Sequence, residues 1–303
     1  MKQLLLNWFY FGAGIIFLLL AKAKNTMMRY TPKTFSPDDI ERCVRYDIHV
    51  VDSWLTCLKR YTEGKQPATV EGKNILELGP GSDLGIGLYL LSKSVKNYFA
   101  VDVYDLANHA SALFYESFFS FLGETQHVDV TPLVTELKQT QMGDSQRLNY
   151  ICRKDFDITK AITPHNVDFI FSNAAFEHFN DVSKTIENIS AITSTGAIFI
   201  ALVDLTTHSR WIRDKDPDNI YRYPVWLYKM LSARSTPNRF RPYRYEEVLK
   251  KNGWTDIAVY PLHELNDNQY IHIKNHLAKQ FRDEKNQMKY LSAWICATKM
   301  NNG

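Results

Sequence analysis

The chain has 303 residues, 45% of them hydrophobic and 23% charged, which is enough to bury a sizeable core and excludes an intrinsically disordered protein. Its 36 basic and 33 acidic residues leave a net charge of +3, a balance that argues against a nucleic-acid partner. The sequence contains no C-x-x-C pair, which argues against a zinc site or a disulfide framework and predicts reduced core thiols. The cysteines are Cys43, Cys57, Cys152 and Cys296.

The N-terminal segment is apolar and free of charge from Leu4 to Ala21. As a helix it would extend about 27 Å, which barely crosses the hydrocarbon core of a bilayer. Trp8 and Tyr10 are aromatic residues of the kind found at membrane interfaces. We therefore predict that residues 1–24 form an N-terminal hydrophobic anchor, a single transmembrane helix.

Basic residues are distributed unevenly around this apolar segment. Lys2 precedes it, whereas Lys22 and Lys24 follow it together with further basic residues. The positive-inside rule then predicts a single-pass membrane protein whose main domain is cytoplasmic. Ala21-Lys22-Ala23 also fits the cleavage site of a secretory signal peptide, so a cleaved signal and a buried or surface-lying helix remain as alternatives.

Residues 25–72 are predicted to form a linker and then an N-terminal helix. The stretch from 25 to 36 is polar, and Ser36 followed by Pro37 is a favourable helix start. Apolar residues then recur every three or four positions from Ile40 to Leu58, which indicates an amphipathic helix.

A glycine-rich turn follows the short apolar run Asn74–Leu78 and leads into a second apolar run. This order predicts a strand, a ligand-binding loop and a helix, with Gly79 and Gly81 letting the backbone approach a ligand closely. The spacing departs from the dinucleotide fingerprint G-x-G-x-x-G. Glu77 and Asp83 would repel a pyrophosphate and suit a cationic ligand instead.

Two later segments of the sequence are also predicted to be strands, each with polar residues at or after its end. Tyr98–Val103 indicates a second strand ending in Asp102, 21 residues after Gly81, a distance expected of a βαβ unit. Val167–Asn173 indicates a fourth strand, and Glu177 and His178 follow it. Together these segments resemble the class I S-adenosylmethionine-dependent methyltransferases over about residues 72–300.

This resemblance implies an α/β fold, a Rossmann-like doubly wound sheet of seven strands with the last strand reversed. It also implies a methyltransferase domain at 73–303 and a helical lid within 25–72, for which a helix that only packs on the core is the alternative. S-adenosyl-L-methionine is the implied cofactor, with Asp102 on the ribose hydroxyls and Asp157, or its neighbour Asp155, on the adenine amino group. The implied cofactor-binding residues are Glu77, Gly79, Gly81, Asp102, Asp157 and Asn173.

The apolar run Ala197–Val203, ending at Asp204, predicts the fifth strand. An insertion at about 209–245 follows, in which arginines alternate with aromatic residues. Such a stretch suits an acidic or phosphate-bearing acceptor near a membrane better than RNA, and a solvated irregular insertion is the alternative. Thr255–Leu262 and Tyr290–Thr298 are predicted to be the last two strands.

Methyl transfer to a hydroxyl benefits from a general base, and His178 and His208 follow the fourth and fifth strands. We predict O-methylation of a small-molecule, glycan-like or lipid-linked acceptor. No metal is predicted, because Ala174 stands where metal-binding relatives carry an additional acid. Asn173-Ala-Ala-Phe176 lacks the prolines of the amino-methyltransferase motif. An NAD-dependent oxidoreductase and a non-catalytic, membrane-tethered binding module remain alternative functions.

Overall fold

The computed structural model describes residues 2–27, 39–163, 166–234 and 236–300. Its strands are β1 (Asn74–Leu78), β2 (Asn97–Asp102), β3 (Leu148–Cys152), β4 (Val167–Asn173), β5 (Thr193–Asp204), β6 (Trp254–Glu264) and β7 (Tyr290–Lys299). They form one seven-stranded sheet in the order β3-β2-β1-β4-β5-β7-β6. β7 is antiparallel to both of its neighbours, whereas β1 to β5 are parallel. The predicted α/β fold with a reversed last strand is confirmed.

Helices cover both faces of this sheet. The helices are α1 (Lys2–Met27), α2 (Ile40–Tyr61), α3 (Gly85–Ser92), α4 (Ala112–Gln126), α5 (Thr131–Met142), α6 (Ile158–Ala161), α7 (Val182–Ile192), α8 (Arg210–Arg213), α9 (Val225–Leu231), α10 (Pro242–Lys251) and α11 (Asp267–Lys274). Residues of α2 to α5 form the core on one face, and residues of α6, α7 and α10 form the core on the other. The sheet is therefore doubly wound.

The strands are apolar almost throughout because both faces of the sheet are buried. All five residues of β1 are buried, with Ile75 facing the α2 layer and Leu76 facing the α7 layer. The predicted bounds agree to within a few residues, with two differences. β5 begins at Thr193 rather than Ala197, and α10 begins at Pro242, where proline favours the first helical position.

Helix α2 packs its apolar stripe on the sheet, as its periodicity predicts. Trp54 stacks on Phe171 of β4 with ring centroids 4.8 Å apart. The Sγ atoms of Cys57 in α2 and Cys296 in β7 lie 3.5 Å apart in the same core. Cys152 is exposed, so its predicted place in the core is wrong. Residues 25–27, predicted to begin the linker, are instead the last residues of α1. The rest of the predicted linker and the Ser36-Pro37 helix start lie outside the described residues.

Helix α1 is long and apolar enough to cross a membrane by length and composition, but it lies against the rest of the protein. Asn7 and Leu18 are buried on one side, where the close fit at Gly14 would make a Cβ overlap the side chains of Asn219 and Tyr223. Its contacts are with the turn Asn219–Arg222 and with α9. The apolar composition predicted the helix and gave no sign of this docking.

Candidate active site

The loop after β1 has the conformation that its glycines permit. Gly79 and Gly81 adopt φ angles of 76° and 83°, which favour residues without a side chain. A Cβ at Gly79 would lie 2.7 Å from the Cβ of Ala175, so the loop packs closely on the segment after β4. At Gly81 no described atom beyond its chain neighbours lies within 4 Å of a Cβ position, so its backbone borders open space. A ligand can approach the main chain there.

Asp102 at the end of β2 lies beside this loop. Its carboxylate accepts a hydrogen bond from the Tyr104 backbone N–H at 2.9 Å, and the Gly81 backbone also contacts it. Partial burial raises its pKa above the usual range of an aspartate. The structure thus brings together Gly81 and Asp102, and the carboxylate could accept hydrogen bonds from two neighbouring hydroxyls.

Acidic side chains converge beneath the loop. Glu77 is buried and accepts a hydrogen bond from the Tyr98 hydroxyl, and burial raises its pKa to about 8. Asp83 accepts from the Gly85 backbone N–H at 3.0 Å. Asp47, which the sequence interpretation did not include, reaches this group from α2, and burial beside Asp83 raises its pKa well above normal. A cationic ligand would stabilise the charged forms of these acids.

Histidines form the second half of the site, where β4 and β5 end. The His178 and His208 rings meet edge to face with centroids 4.8 Å apart. His208 Nε2 lies 3.4 Å from Oδ2 of Asp204, whose carboxylate also accepts hydrogen bonds from Thr206. Burial and the neighbouring His208 lower the pKa of His178 to about 4, so this imidazole is neutral at pH 7. The Asp204 carboxylate, the His208 imidazole and the neutral His178 imidazole therefore lie in a row.

Residues 54–259 match the family model described as a methyltransferase domain, which is more than half of the 303 residues. The chain belongs to this family. The family is thus that of the predicted methyltransferase domain, and an NAD-dependent oxidoreductase does not fit this family. No curated protein matches the sequence of this methyltransferase.

Solved structures of other methyltransferases resemble it distantly. The CurJ carbon methyltransferase is 16% identical, with 78% of this chain and 50% of that chain covered at a TM-score of 0.42. Phosphoethanolamine N-methyltransferase 2 of Haemonchus contortus is 14% identical, with coverages of 85% and 53% and a TM-score of 0.42. An S-adenosylmethionine-dependent methyltransferase from Mesorhizobium loti is 13% identical, with coverages of 80% and 96% and a TM-score of 0.41. The chain spans about half the length of the first two.

Asp157, the residue expected near the adenine, is engaged locally in the methyltransferase. Its carboxylate caps α6 by accepting from the Lys160 backbone N–H, and it pairs with Lys160 Nζ at 2.9 Å. These contacts, together with a bond from the Thr159 hydroxyl, lower its pKa. The neighbouring candidate Asp155 pairs with Arg153 at 2.8 Å. Either carboxylate retains acceptor capacity beyond these bonds.

Asn173 at the end of β4 connects the site to α2. Its amide donates a hydrogen bond to the Tyr46 hydroxyl at 2.8 Å. Ala174, which follows it, has a φ of 49°, an unusual conformation for a residue with a side chain. A cavity of about 580 Å³ lies between α2 and the sheet and is bordered by Asn173, Leu202 and Trp294. Its volume is in the range of small-ligand pockets.

Glu177 joins the two histidines in a group that could hold a metal ion. One ligand atom from each of Glu177, His178 and His208 lies within 4.8 Å of the others. Burial raises the pKa of Glu177 to about 8, and its Oε2 has no hydrogen-bond partner among the described residues. The sequence predicts no metal here because Ala174 stands in place of the additional acid. The structure brings His208, from the segment after β5, into reach as a possible third ligand beside Glu177 and His178.

Three arginines of the insertion form hydrogen bonds or an ion pair with other groups of the protein. Arg222 is buried in an ion pair with Asp216 at 2.7 Å. Arg241 is buried and donates to backbone carbonyls, including that of Asn286 at 2.9 Å. Arg239 donates to the Tyr223 carbonyl at 2.8 Å. The guanidinium groups of these three arginines donate to groups of the protein itself, which argues against a phosphate-bearing acceptor at these three positions.

Proposed function

We propose that the enzyme methylates a hydroxyl group of a small-molecule, glycan-like or lipid-linked acceptor. The observation that carries this proposal is the series Asp204, His208 and His178 where β4 and β5 end. A hydroxyl has a pKa far above 7 and needs a proton acceptor when it attacks, whereas a neutral amine does not. Two adjacent imidazoles with a carboxylate behind one of them meet that need.

In this proposal His208 is the general base. As the acceptor oxygen forms its bond to the methyl carbon and the carbon–sulfur bond breaks, the hydroxyl proton passes to the His208 imidazole. Asp204, 3.4 Å away, stabilises the imidazolium that results. His178 is neutral and can hold the hydroxyl in line for attack, since much of the rate of such a displacement comes from positioning.

S-adenosylmethionine supplies the methyl group on a sulfonium, and we propose that it binds where β1 and β2 end. Asp102 would accept hydrogen bonds from both ribose hydroxyls, and the open space beside Gly81 would admit the cofactor. Gly79 shapes the same loop. The acids around Glu77 suit a ligand that carries positive charge. Asp157 is proposed for the adenine end and Asn173 for the methionine end.

Helix α2 is proposed as the lid over both ligands, within an N-terminal region that extends to residue 72. It brings Asp47 to the cofactor loop and Tyr46 to Asn173. The cavity beneath it, bordered by Leu202 and Trp294, would hold the body of the acceptor. Its apolar border favours an acceptor with a ring or alkyl portion over a nucleic acid.

The test uses the full chain, S-adenosylmethionine with a labelled methyl group, and panels of hydroxyl and amine acceptors. We expect label in hydroxyl acceptors, and a 10²-fold to 10⁴-fold loss of kcat in His208→Ala with unchanged affinity for S-adenosylhomocysteine. His127→Ala, on an exposed turn after α4, is the control. Labelled amines alone, or full activity in His208→Ala, would refute the proposal. Cofactor binding without turnover on either panel would favour a non-catalytic module.

A further inference from the structure

Helix α1 contacts the protein along a single narrow seam that runs most of its length. The seam includes Asn7, Phe11, Gly14 and Leu18, spaced by three or four residues, so all four lie on one side of the helix. From Asn7 to Leu18 it holds three full turns against the domain. The remaining circumference of α1 faces away from the protein.

Polar contacts fix this seam in a specific register. The Asn7 side chain accepts from Arg222 at 3.2 Å and bonds to His276 Nε2 at 2.7 Å. Asn219 donates to the Tyr10 carbonyl at 2.9 Å, and Tyr223 donates to the Phe11 carbonyl at 3.0 Å. Bonds to helix carbonyls and a buried asparagine specify one docked position, which a merely apolar contact would not do.

Docking and spanning exclude each other. A transmembrane helix needs about 20 residues within the hydrocarbon, and α1 has 26 residues in total. The docked seam uses the central part of those residues, so crossing a bilayer would require Asn7 and Gly14 to leave the domain. A helix held in this way can only lie alongside the domain.

The outward side of α1 is apolar, and α9, which contacts α1, also exposes apolar residues. Trp8 and Phe9 are 66% and 64% exposed, and in α9 Trp226 is 67% exposed with Met230 on the same side, one turn further on. Lys22 donates to the Met230 carbonyl and so joins the two helices. The outward apolar residues are Leu5, Trp8, Phe9, Ile16, Leu19, Leu20, Val225, Trp226 and Met230.

We propose that this surface rests on a lipid bilayer, with α1 lying in the membrane interface instead of spanning it. Exposed tryptophans next to an apolar strip favour the boundary between headgroups and acyl chains. Lys22 and Lys24 follow the strip and can reach anionic headgroups. An interfacial helix buries one side in lipid and turns the other side away from it. In α1 the side turned away from lipid is the one that packs on the domain. This inference does not depend on the acceptor or the chemistry of methyl transfer.

The geometry makes the domain itself part of the membrane contact. Because α9 belongs to the insertion after β5, Trp226 meets lipid only if α1 stays docked. A spanning α1 would hold the domain on a tether and leave Trp226 in water. Trp226 is therefore the residue that distinguishes the two arrangements.

The experiment adds the purified full chain, with a protease-cleavable N-terminal tag, to vesicles of phosphatidylcholine and phosphatidylglycerol. We expect flotation with the vesicles, full cleavage of the tag from outside, and quenching of tryptophan fluorescence by brominated lipids. Part of that quenching should be lost in Trp226→Phe. A tag protected inside the vesicles, or a Trp226→Phe variant with unchanged quenching, would overturn the proposal.

Two glycines provide a matched pair of variants. Gly14→Leu would force α1 off Asn219 and Tyr223, whereas no described atom outside the helix lies within 4 Å of a Cβ at Gly12. We expect Gly14→Leu to keep vesicle binding but lose quenching of Trp226, and Gly12→Leu to behave as wild type. Equal behaviour of the two variants, or a soluble dimer without vesicle binding, would refute the interfacial role. Titration of each variant with S-adenosylhomocysteine measures separately whether its cofactor site is intact.

Discussion

The two halves of the active site differ in the kind of group they present. Where β1 and β2 end, the site presents Glu77, Asp83 and Asp102, carboxyls whose pKa values burial raises. Where β4 and β5 end, it presents His178 and His208. The first half suits a cation, and the second half suits a neutral acceptor that must lose a proton. One edge of the sheet would thus serve two chemically different tasks, because acidic side chains follow one pair of strands and histidines follow the other.

The largest loss of cofactor affinity should come from a change at Asp102, which lies in the cofactor half and is proposed to bind the ribose hydroxyls. In Asp102→Ala two charge-assisted hydrogen bonds to the ribose would be lost, which should weaken S-adenosylhomocysteine binding by about 3 kcal/mol, or roughly 150-fold. Isothermal titration measures this loss. Asp105→Ala, an exposed acid three residues later, is the control. Unchanged affinity in Asp102→Ala would remove this residue from the site.

A smaller effect is expected at the histidine half in Asp204→Asn. The amide keeps the shape of the side chain but cannot stabilise an imidazolium at His208, so kcat should fall about 10-fold to 100-fold. Cofactor affinity should stay as in wild type. Asp214→Asn, on an exposed position after α8, controls for charge. A loss of cofactor affinity equal to the loss of kcat would show that the two halves do not act separately.

The contributions of Glu77 and His178 to the pH dependence of stability should have opposite signs. Glu77 has a pKa of about 8 when folded against about 4.5 unfolded, so its contribution is complete below about 4.5 and is lost as pH rises through 8. Glu77→Gln should remove a decline on the order of a few kcal/mol, seen by denaturant unfolding at several pH values. Glu71→Gln, at an exposed position, should keep the decline. Because Glu177 contributes a decline over the same pH range, the informative result is the size of the change. A decline as large in Glu77→Gln as in wild type would mean that Glu77 is charged in the folded protein.

His178 should act in the opposite direction. Its pKa of about 4 when folded lies below 6.5, so its contribution is complete above 6.5 and is lost as pH falls through 4. His178→Gln should flatten the stability profile between pH 4 and 6.5. His272→Gln, on the exposed surface of α11, should not change it. An unchanged slope in His178→Gln would place this imidazole in contact with water.

The smallest effect is expected at Asp157. Its carboxylate caps α6 and pairs with Lys160, so Asp157→Ala should lower the thermal stability slightly through the loss of the helix cap. Any loss of S-adenosylhomocysteine affinity should be much smaller than in Asp102→Ala. Thermal unfolding and titration of one preparation measure both. An affinity loss as large as that of Asp102→Ala would make Asp157 a main contact of the adenine.

The cofactor half could be predicted from sequence because its elements are close in the chain. Gly79, Gly81 and Asp102 belong to one strand–loop–helix–strand unit, and the left-handed backbone at each glycine restricts which residues fit there. The same unit carries the resemblance to class I methyltransferases, and that resemblance implied the seven-stranded fold, while apolar runs indicated the buried strands. Asp47 was missed because it reaches the loop from α2, and only the packing of that helix brings it there.

The histidine half could be predicted only as separate candidates. His178 and His208 meet because β4 and β5 are neighbours in the sheet, but the contact of His208 with Asp204 depends on how the chain turns after β5. For the arginines of the insertion, the sequence suggested a bound ligand. In the structure the guanidinium groups of Arg222 and Arg241 instead donate hydrogen bonds to groups far away in the sequence. Burial of a charged residue cannot be read from its neighbours in the chain.

The reversal of β7 has a consequence for how such an enzyme can change during evolution. Ser292, near the start of β7, pairs with Asp204 at the end of β5, so the chain enters the sheet beside the histidines. The preceding segment 265–289 also supplies His276 and Leu277 to the region on which α1 docks. On the proposed acceptor site and membrane contact, insertions there would alter acceptor choice and membrane attachment together, while Asp102 and the glycine loop would stay as they are. Use of the cofactor would then be inherited separately from the location and the target of the reaction.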